Sequence, residues 1–499
     1  MPDSRPHLAP LRILLLAAFA LVAQAQAQDQ AAQRPNIVLI LSDDQNATDL
    51  GCAGHPWLQT PNLDLLAAEG VRFTRAFVTT ALCSPSRATF LTGQYARAHG
   101  ILSNTQVLGA ELPSFASELR GAGYLTAYVG KWHMGTGGGP RPGFDYSATY
   151  AGQGRVRNLP FLVGREKTEK VATKGWVDDV ATDYAIQFLR DSRRRPLLLC
   201  LGFKSPHTPR VPDERHASLY KDEPLPEAQA AKRFPPYPTR PEFERLVKAA
   251  NSDDASFVTP DDWLEHWEGP RIPETELVRG SGQGEDLRNY YRLITGLDEN
   301  VGRLLATLDE LNLTRNTIVI FASDNGVMNG RLGTFGKRSA YDEAITVPLI
   351  VRYPEGMGVD QAGSVQDALV LNLDIAPTLL DLAGVEIPAS MRGHSLRPLL
   401  QAANADWRKE FLIEYLPSRA GPSPEILALR TDRWKLVTYP GHAAWTELFD
   451  LEADPLEEHD LGSEAGHSET ITRLTADLAA AHQAAGPRLA RPAAKARGK

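Results

Sequence analysis

Cysteine is scarce in this chain. Three occur in 499 residues, Cys52, Cys83 and Cys200, too few and too scattered for a disulfide scaffold. Cys200 lies in the apolar run RPLLLCLGF, where a thiol packs as a small hydrophobe. A Cys52–Cys200 bridge is open to the sequence, but nothing in it supports one. Basic residues are not in excess either. The 53 Lys and Arg against 61 Asp and Glu leave a formal charge of −8, which argues against a general nucleic-acid binder. No internal repeat is visible. No run is long enough to span a membrane: Ile13 to Val22, ILLLAAFALV, falls short of the roughly 18 residues a transmembrane helix needs, and no later run approaches that length.

The same short run has another reading. It follows a leader carrying Arg5 and Arg12 and precedes AQAQA, which offers small residues three and one before a cut. In that order these features make a secretory signal peptide over residues 1–27, cleaved near Ala25 or Ala27; the alternative is a buried N-terminal helix. No cysteine directly follows the run to carry a lipid. The mature chain is expected to be soluble and exported, periplasmic or secreted.

What is present is material for a large core. Hydrophobic residues make up 42% of the chain, and its length allows two or three domains at roughly 100–200 residues each. Strand and helix signals alternate. Strands are expected at Asn36 to Ser42, Tyr124 to Val129, Pro196 to Gly202 and Thr317 to Ala322. Helices are expected at Thr60 to Glu69, Leu112 to Arg120, Val177 to Arg190 and Tyr290 to Leu311. Continuous apolar β-branched runs are the mark of strands buried on both faces. The alternation implies an α/β sandwich with a largely parallel sheet. Lys221 to Pro273, rich in proline, acid and aromatics, reads as a long surface excursion that could wall a cleft. Beyond about Pro398 the segments FLIEY, ILALRT and WKLVTY suggest a small antiparallel sheet. The expected division is 28–398, then 399–484 with that sheet, then a disordered basic tail at 485–499.

Ligands in open α/β sheets gather at the carboxyl ends of strands, and two such ends carry acids. Ser42-Asp43-Asp44-Gln45 follows NIVLIL, and Ser323-Asp324-Asn325-Gly326 follows TIVIFA. Consecutive residues of a regular strand face opposite ways, but at a strand end the chain can turn and aim both inward. Three carboxylates and an amide oxygen form a hard, oxygen-only set suited to Ca²⁺ or Mg²⁺ rather than zinc. Alone, either motif is more often a turn or a helix cap. The third feature is ALCSPSRATFLTG, Ala81 to Gly93, with Cys83, Pro85 and Arg87 at fixed offsets and no second cysteine nearby.

Cys83-x-Pro85-x-Arg87 followed by Leu91-Thr92-Gly93 resembles the signature of the type I sulfatases. SDDQ (Ser42 to Gln45), GKWHMG (Gly130 to Gly135), SPHTP (Ser205 to Pro209), SDNG (Ser323 to Gly326), GKRSAYDEAITVPLIV (Gly336 to Val351) and ELFDLEADPLE (Glu447 to Glu457) extend the resemblance from about Pro35 to Leu461. It implies an alkaline-phosphatase-like sandwich with a smaller C-terminal antiparallel sheet. It also implies that a maturation enzyme oxidises Cys83 to formylglycine (3-oxoalanine). The hydrated aldehyde carries two hydroxyls on one carbon. One attacks the sulfur and expels the alcohol, and the other collapses the diol to release sulfate, where a serine would stay sulfated.

The other roles follow from the same resemblance. One Ca²⁺ would be held by Asp43, Asp44, Asp324 and Asn325 together with the residue made from Cys83. Arg87 would steady the formylglycine and the carboxylates. Lys131 and Lys337 would hold sulfate oxygens. His133 would take the diol proton, and His207 would bind the bridging oxygen and protonate the leaving alcohol. Taken singly, these lysines read as surface charges and these histidines as packing residues. His55, His99 and His394 have no such company and are read as structural. PRPGFDY, GQG (Gly152 to Gly154) and LYKD (Leu219 to Asp222) place the chain nearest the N-acetylglucosamine-6-sulfatases of the glycosaminoglycan-directed branch. It departs from them at Gly330-Arg331-Leu332-Gly333, where a histidine is usual in place of Leu332. An arylsulfatase of broad specificity, a formylglycine-dependent phosphonate or phosphodiester hydrolase, and a non-catalytic carbohydrate binder with unmodified Cys83 are the rival readings. Asn325, where two-zinc phosphatases have histidine, disfavours the zinc enzymes.

Overall fold

The computed structural model describes residues 34–135, 141–192, 196–225, 284–330, 335–354, 361–402, 405–416 and 425–489. The expected signal peptide, most of the excursion from Lys221 to Pro273, Leu332 and the end of the basic tail lie outside them. Of the tail, Ala485 is buried and the Leu489 N–H donates to the Arg97 carbonyl.

The buried apolar runs become the middle of a ten-stranded sheet. Its strands are β1 (Asn36–Ser42), β2 (Val71–Phe73), β3 (Leu125–Lys131), β4 (Tyr146–Tyr150), β5 (Phe161–Gly164), β6 (Thr168–Val171), β7 (Leu197–Gly202), β8 (Thr317–Ser323), β9 (Leu349–Arg352) and β10 (Ser364–Gln366). The order is β10-β2-β9-β8-β1-β7-β3-β4-β5-β6. The five strands from β8 to β4 run parallel. Both flanks switch to antiparallel, through β9 on one side and β5 and β6 on the other. The sheet is therefore mixed and mostly parallel.

Alternate residues of β1 feed two cores, as the period of a strand requires. Val38 and Ile40 pack with α1 (Pro61–Ala68), α4 (Val177–Asp191) and α5 (Glu285–Glu310). Ile37, Leu39 and Leu41 pack toward α2 (Cys83–Thr92), α3 (Phe115–Gly121) and α6 (Ile375–Leu382). On α5 the buried Leu297, Val301, Leu304 and Leu308 recur at helical spacing. Each such side chain contributes about 1.5–3 kcal/mol by leaving water. The second core also takes in Phe411, Leu412, Leu429, Leu436 and Phe449. These belong to the small antiparallel sheet of β11 (Glu410–Tyr415), β12 (Ile426–Thr431), β13 (Trp434–Thr438) and β14 (Glu447–Asp450), against which α7 (Ser468–Ala484) lies.

The differences from the sequence reading are local. The helix expected from Leu112 starts at Phe115, because Ser114 caps it through a reciprocal bond with Ser117. The long helix begins five residues before Tyr290, at Glu285. All three cysteines are free thiols. The strand expected to stop at Val129 continues to Lys131. Gly130 and Gly202 make that possible. They face each other across β3 and β7, and Gly130 has φ +86°. A Cβ on Gly130 would stand 2.0 Å from the Gly202 carbonyl oxygen, and one on Gly202 would stand 2.6 Å from that of Lys131.

Gly130→Ala is expected to destabilise the protein by at least the roughly 1–3 kcal/mol of a left-handed non-glycine residue, with the backbone clash adding to it. Urea unfolding measures this. A change under about 0.5 kcal/mol, the level of an ordinary surface substitution, would show that the strand end yields freely.

Candidate active site

β1 and β8 pair in parallel with Ser42 opposite Ser323, so their acidic ends emerge side by side. Three bonds tie them there. The Asp324 N–H donates to the Ser42 carbonyl, the Asp44 N–H to Asp324 Oδ1 at 3.2 Å, and the Gln45 N–H to Ser323 Oγ at 3.0 Å. Asp44 takes φ 67°. This left-handed turn brings successive carboxylates to the same side, which a continued strand could not do.

Cys83 reaches this point from the first residue of α2, a helix absent from the sequence reading. Its Sγ lies 3.5 Å from Asp43 Oδ1. Ligand atoms of Asp43, Asp44, Cys83 and Asp324 all fall within 4.8 Å of one another, and all four residues are buried. Burial pushes the Cys83 thiol up to about 12 against the pull of Lys131 and Lys337, so the plain thiol is protonated at neutral pH.

Three cations face these acids. Arg87, one turn along α2 from Cys83, donates from Nε to Asp324 Oδ2 at 2.7 Å and from Nη1 to the Lys131 carbonyl at 2.9 Å. Lys131 Nζ bonds Asp43 Oδ2 and, at 2.5 Å, Gln153 Oε1. Lys337 Nζ bonds Asp44 Oδ1 and stands 2.8 Å from Cys83 Sγ. Burial opposes ionisation of Asp43, but the charges of Lys131, Arg87 and Lys337 outweigh it and hold its pKa well below the usual carboxylate range. Asp324 moves the other way. Burial and the charge on Asp43 push it up to about 7 despite the bond from Arg87. Two such acids in one dry site ionise together at low cost only if more positive charge arrives.

The donor set fits a hard divalent cation. Asn325 donates from Nδ2 to Asp44 Oδ1, and its own Oδ1 is buried without a hydrogen-bond partner. An orphaned amide oxygen beside three carboxylates is what an oxygen-ligated ion would satisfy.

Two histidines flank the cluster. His207 Nδ1 lies 2.6 Å from the Thr208 carbonyl, an acceptor only, so Nδ1 carries the proton. Nε2 then points toward Asp44, 3.7 Å from Oδ2. His133 has φ 56° and a buried Nδ1 with no partner, and its carbonyl accepts from Ser84 Oγ. Burial is the first cause holding both histidines neutral, well below their ordinary pKa. The three histidines read as structural are engaged locally. His99 bridges Thr89 Oγ1 and the Ile101 N–H, His55 accepts from the Leu58 N–H, and His394 meets the Trp407 ring edge-on.

Sequence reasoning assigned no role to three residues that touch this machinery. Gln153 sits on Lys131, and its only signal was the quoted GQG. Lys204, buried and pushed down to about 8 by burial and by Lys131, donates at 3.0 Å to the same Thr208 carbonyl that holds His207. Tyr128 OH shares the Lys131 carbonyl with Arg87 at 2.8 Å. Arg87→Met would leave Asp324 unpaired and the Lys131 carbonyl short of a donor. The expected loss is about 3–5 kcal/mol, as for breaking a buried pair. It is read from denaturant unfolding, and a loss under about 1 kcal/mol would show that Asp324 does not depend on Arg87.

Comparison with known proteins covers nearly the whole chain. The Sulfatase family model matches residues 35–385, and the model described as N-sulphoglucosamine sulphohydrolase, C-terminal, matches residues 330–484. An N-acetylglucosamine-6-O-sulfatase of Bacteroides thetaiotaomicron is 31% identical, over 93% of this chain and 88% of that protein. An ulvan-active sulfatase of Formosa agariphila is 31% identical, over 92% of this chain and 82% of its own length. A solved structure described as in complex with its substrate D-glucosamine-2-N,6-O-disulfate superposes with TM-score 0.75 at 30% identity, covering 91% of this chain and 98% of that one. The mixed sheet between helices is thus the alkaline-phosphatase-like sandwich of these enzymes. On the family match and the near full-length relatives, this chain belongs to the sulfatase family and is a sulfuric ester hydrolase.

Proposed function

We propose that the chain hydrolyses the 6-O-sulfate of a sulfated N-acetylglucosamine, through a formylglycine made from Cys83 and with one Ca²⁺ held by Asp43, Asp44, Asp324 and Asn325. The observation that carries the chemistry is the convergence of Asp43, Lys337 and the other buried charges on the Cys83 side chain. The substrate rests on the relative named N-acetylglucosamine-6-O-sulfatase and on the similar structure holding a 6-O-sulfated glucosamine. Among the described residues no helix is long and apolar enough to cross a membrane. Removal of residues 1–27 would release the enzyme outside the cytoplasm, where such glycans are met.

The chain's own groups divide the work. Lys131 and Lys337 bind the sulfate oxygens and hold the charge that grows there. His207, with Nδ1 fixed on the Thr208 carbonyl, presents Nε2 to the bridging oxygen; that nitrogen is unprotonated in the free site, takes up a proton from solvent as the anionic ester binds, and gives it to the departing alcohol. His133 takes a proton from the hydroxyl on residue 83, and burial keeps it neutral and ready to accept. Arg87 fixes Asp324 and the end of β3, which sets the direction of Lys131. The hydrated aldehyde supplies a nucleophilic hydroxyl and a second one through which sulfate leaves. Ca²⁺ bound at the carboxylates supplies Lewis-acid polarisation and offsets their charge.

Elemental analysis of the purified, matured enzyme is expected to find one Ca²⁺ per chain, removable by a chelator with loss of thermal stability. Two stoichiometric zinc ions would point to a phosphatase-type centre instead. For the substrate, kcat/KM is compared for N-acetylglucosamine-6-sulfate, its 2-O-, 3-O- and 4-O-sulfated counterparts and nitrophenyl sulfate, with Cys83→Ala as the control. The 6-O-sulfate is expected to lead, because ring contacts can position its ester. Cys83→Ala should lose more than the roughly 10²–10³ that one transition-state donor is worth. A lead for any other ester would refute the sugar assignment, and turnover by Cys83→Ala would refute the nucleophile.

A further inference from the structure

Two segments singled out in the sequence, GKRSAYDEAITVPLIV and ELFDLEADPLE, meet inside the protein. The first carries Lys337. Its chain crosses the site as a strap. The Arg338 N–H donates to the Ala81 carbonyl, two residues before Cys83, at 3.1 Å. Ala344 accepts from the N–H of Gly326, next to Asn325, at 3.0 Å. Directly after Lys337 the backbone is left-handed, with φ 74° at Arg338. Such a conformation at a non-glycine residue persists only where its surroundings over-determine it.

The middle of the strap is held from the small sheet. Lys435, on β13, is buried with its side chain fully covered. Its Nζ donates to the Ala340 carbonyl at 2.8 Å, to Asp342 Oδ1 and to Glu457 Oε1. An ammonium has three donors, and here each has an acceptor. Glu457 in turn accepts at Oε2 from the Asp342 N–H at 2.6 Å, and Arg430 supports Asp342 Oδ2 at 3.3 Å. One residue away, Tyr341 OH donates to Glu447 Oε1 at 2.8 Å, and Tyr439 OH fills Oε2 at 2.7 Å. Three consecutive residues, 340 to 342, are therefore tied to β13, β14 and the turn at Glu457. A cluster that served only to glue the small sheet down would not need to spend a buried lysine on a backbone carbonyl three residues from Lys337.

We infer that Lys435 is a positioning residue for Lys337: through the Ala340 carbonyl and the Asp342–Glu457 pair, the small sheet fixes the strap that aims Lys337 at residue 83. This rests on the proposed role of Lys337 in holding sulfate oxygens. Lys435 touches no reacting atom, so its effect reaches the site only through the strap.

The test measures binding of inorganic sulfate to the matured, Ca²⁺-loaded enzyme by calorimetry. Stoichiometry there counts the folded sites, and Kd reports how well they grip the anion. Lys435→Met combined with Glu457→Gln removes one buried charge of each sign, so the fold is not left with an unpaired ion. This pair is expected to raise the sulfate Kd about tenfold, the worth of one charge-assisted hydrogen bond, at unchanged stoichiometry. Lys337→Ala should raise it at least as much. Adding the pair to Lys337→Ala should raise it no further, since residues that act through one another do not add. Asp342→Asn, a milder change that keeps Lys435, should give a smaller rise and serves if the pair folds poorly. An unchanged Kd in these variants, or losses that multiply with that of Lys337→Ala, would overturn the inference. An unchanged Kd in Lys337→Ala itself would instead remove the role of Lys337 on which it stands.

Discussion

Three carboxylates buried at the ends of two neighbouring strands set the conditions for everything around them. Removing a carboxylate from water costs several kcal/mol even after relaxation, and Asp43, Asp44 and Asp324 are all buried. Arg87, Lys131 and Lys337 bring three positive charges in answer. Protein alone is thus near neutral at this point. A bound divalent cation would leave the site with an excess of two positive charges. A sulfate ester carries one negative charge and the freed sulfate two, so the same site that attracts the substrate would be balanced by the product. The need to anchor three cations around one point then explains the surrounding architecture: Arg87 comes from a helix, Lys131 from a strand end and Lys337 from a strap, each held by its own backbone bonds.

The middle of the sheet was legible because its strands are continuous runs of Ile, Val and Leu, bounded by proline or polar residues. NIVLILS and TIVIFAS advertise burial on both faces, and the acids after them stand where open α/β sheets place ligands. The flanking strands were not legible. Tyr146–Tyr150 is short and sets Ser147 and Thr149 into a largely buried stretch, and Phe161–Gly164 and Thr168–Val171 are short and mostly half-buried or exposed, so no strong apolar pattern marks them. The end of β3 was misjudged because glycine reads as a breaker, whereas Gly130 and Gly202 together let two backbones approach and carry the strand on to Lys131. The helix at Cys83 was hidden for a related reason. CSPSRATFLT is buried at every position, so it has no polar face to give a helical period, and Pro85 looks like an interruption although it sits in the first turn, where proline is tolerated.

The candidate site divides the same way. Residues within recognisable motifs could be named in advance, and the structure brings Asp43, Asp44, Cys83, Arg87, Lys131, His133, His207, Asp324, Asn325 and Lys337 into one neighbourhood. Residues that act on those residues could not. Gln153 meets Lys131 from a loop, Lys204 meets His207 through the Thr208 carbonyl, and Lys435 meets the Lys337 strap from almost a hundred positions away in sequence. No periodicity encodes such contacts, because they are set by which loops the sheet order juxtaposes.

Backbone strain gathers where the chemistry is expected. Among the described residues, seven other than glycine have positive φ, and Asp44, His133 and Arg338 are three of them. Asp44 is a candidate ligand, His133 a candidate base and Arg338 the neighbour of Lys337. Each costs of order 1–3 kcal/mol, a large share of the net stability of a folded protein. The strand ends and α2 offset the first two, the former by pinning Asp44 to Asp324 and the latter, with Tyr128, by holding the chain at His133 through the Lys131 carbonyl and the Ser84–His133 bond. Arg338 lies beyond the reach of the main sheet's ladder. Its conformation is held from Ala81 on one side and from the small sheet on the other. That gives a physical reason for a charged, buried contact between the C-terminal sheet and the strap: without a rigid support there, the cheapest way to relieve the strain at Arg338 would be to let Lys337 swing out of the site.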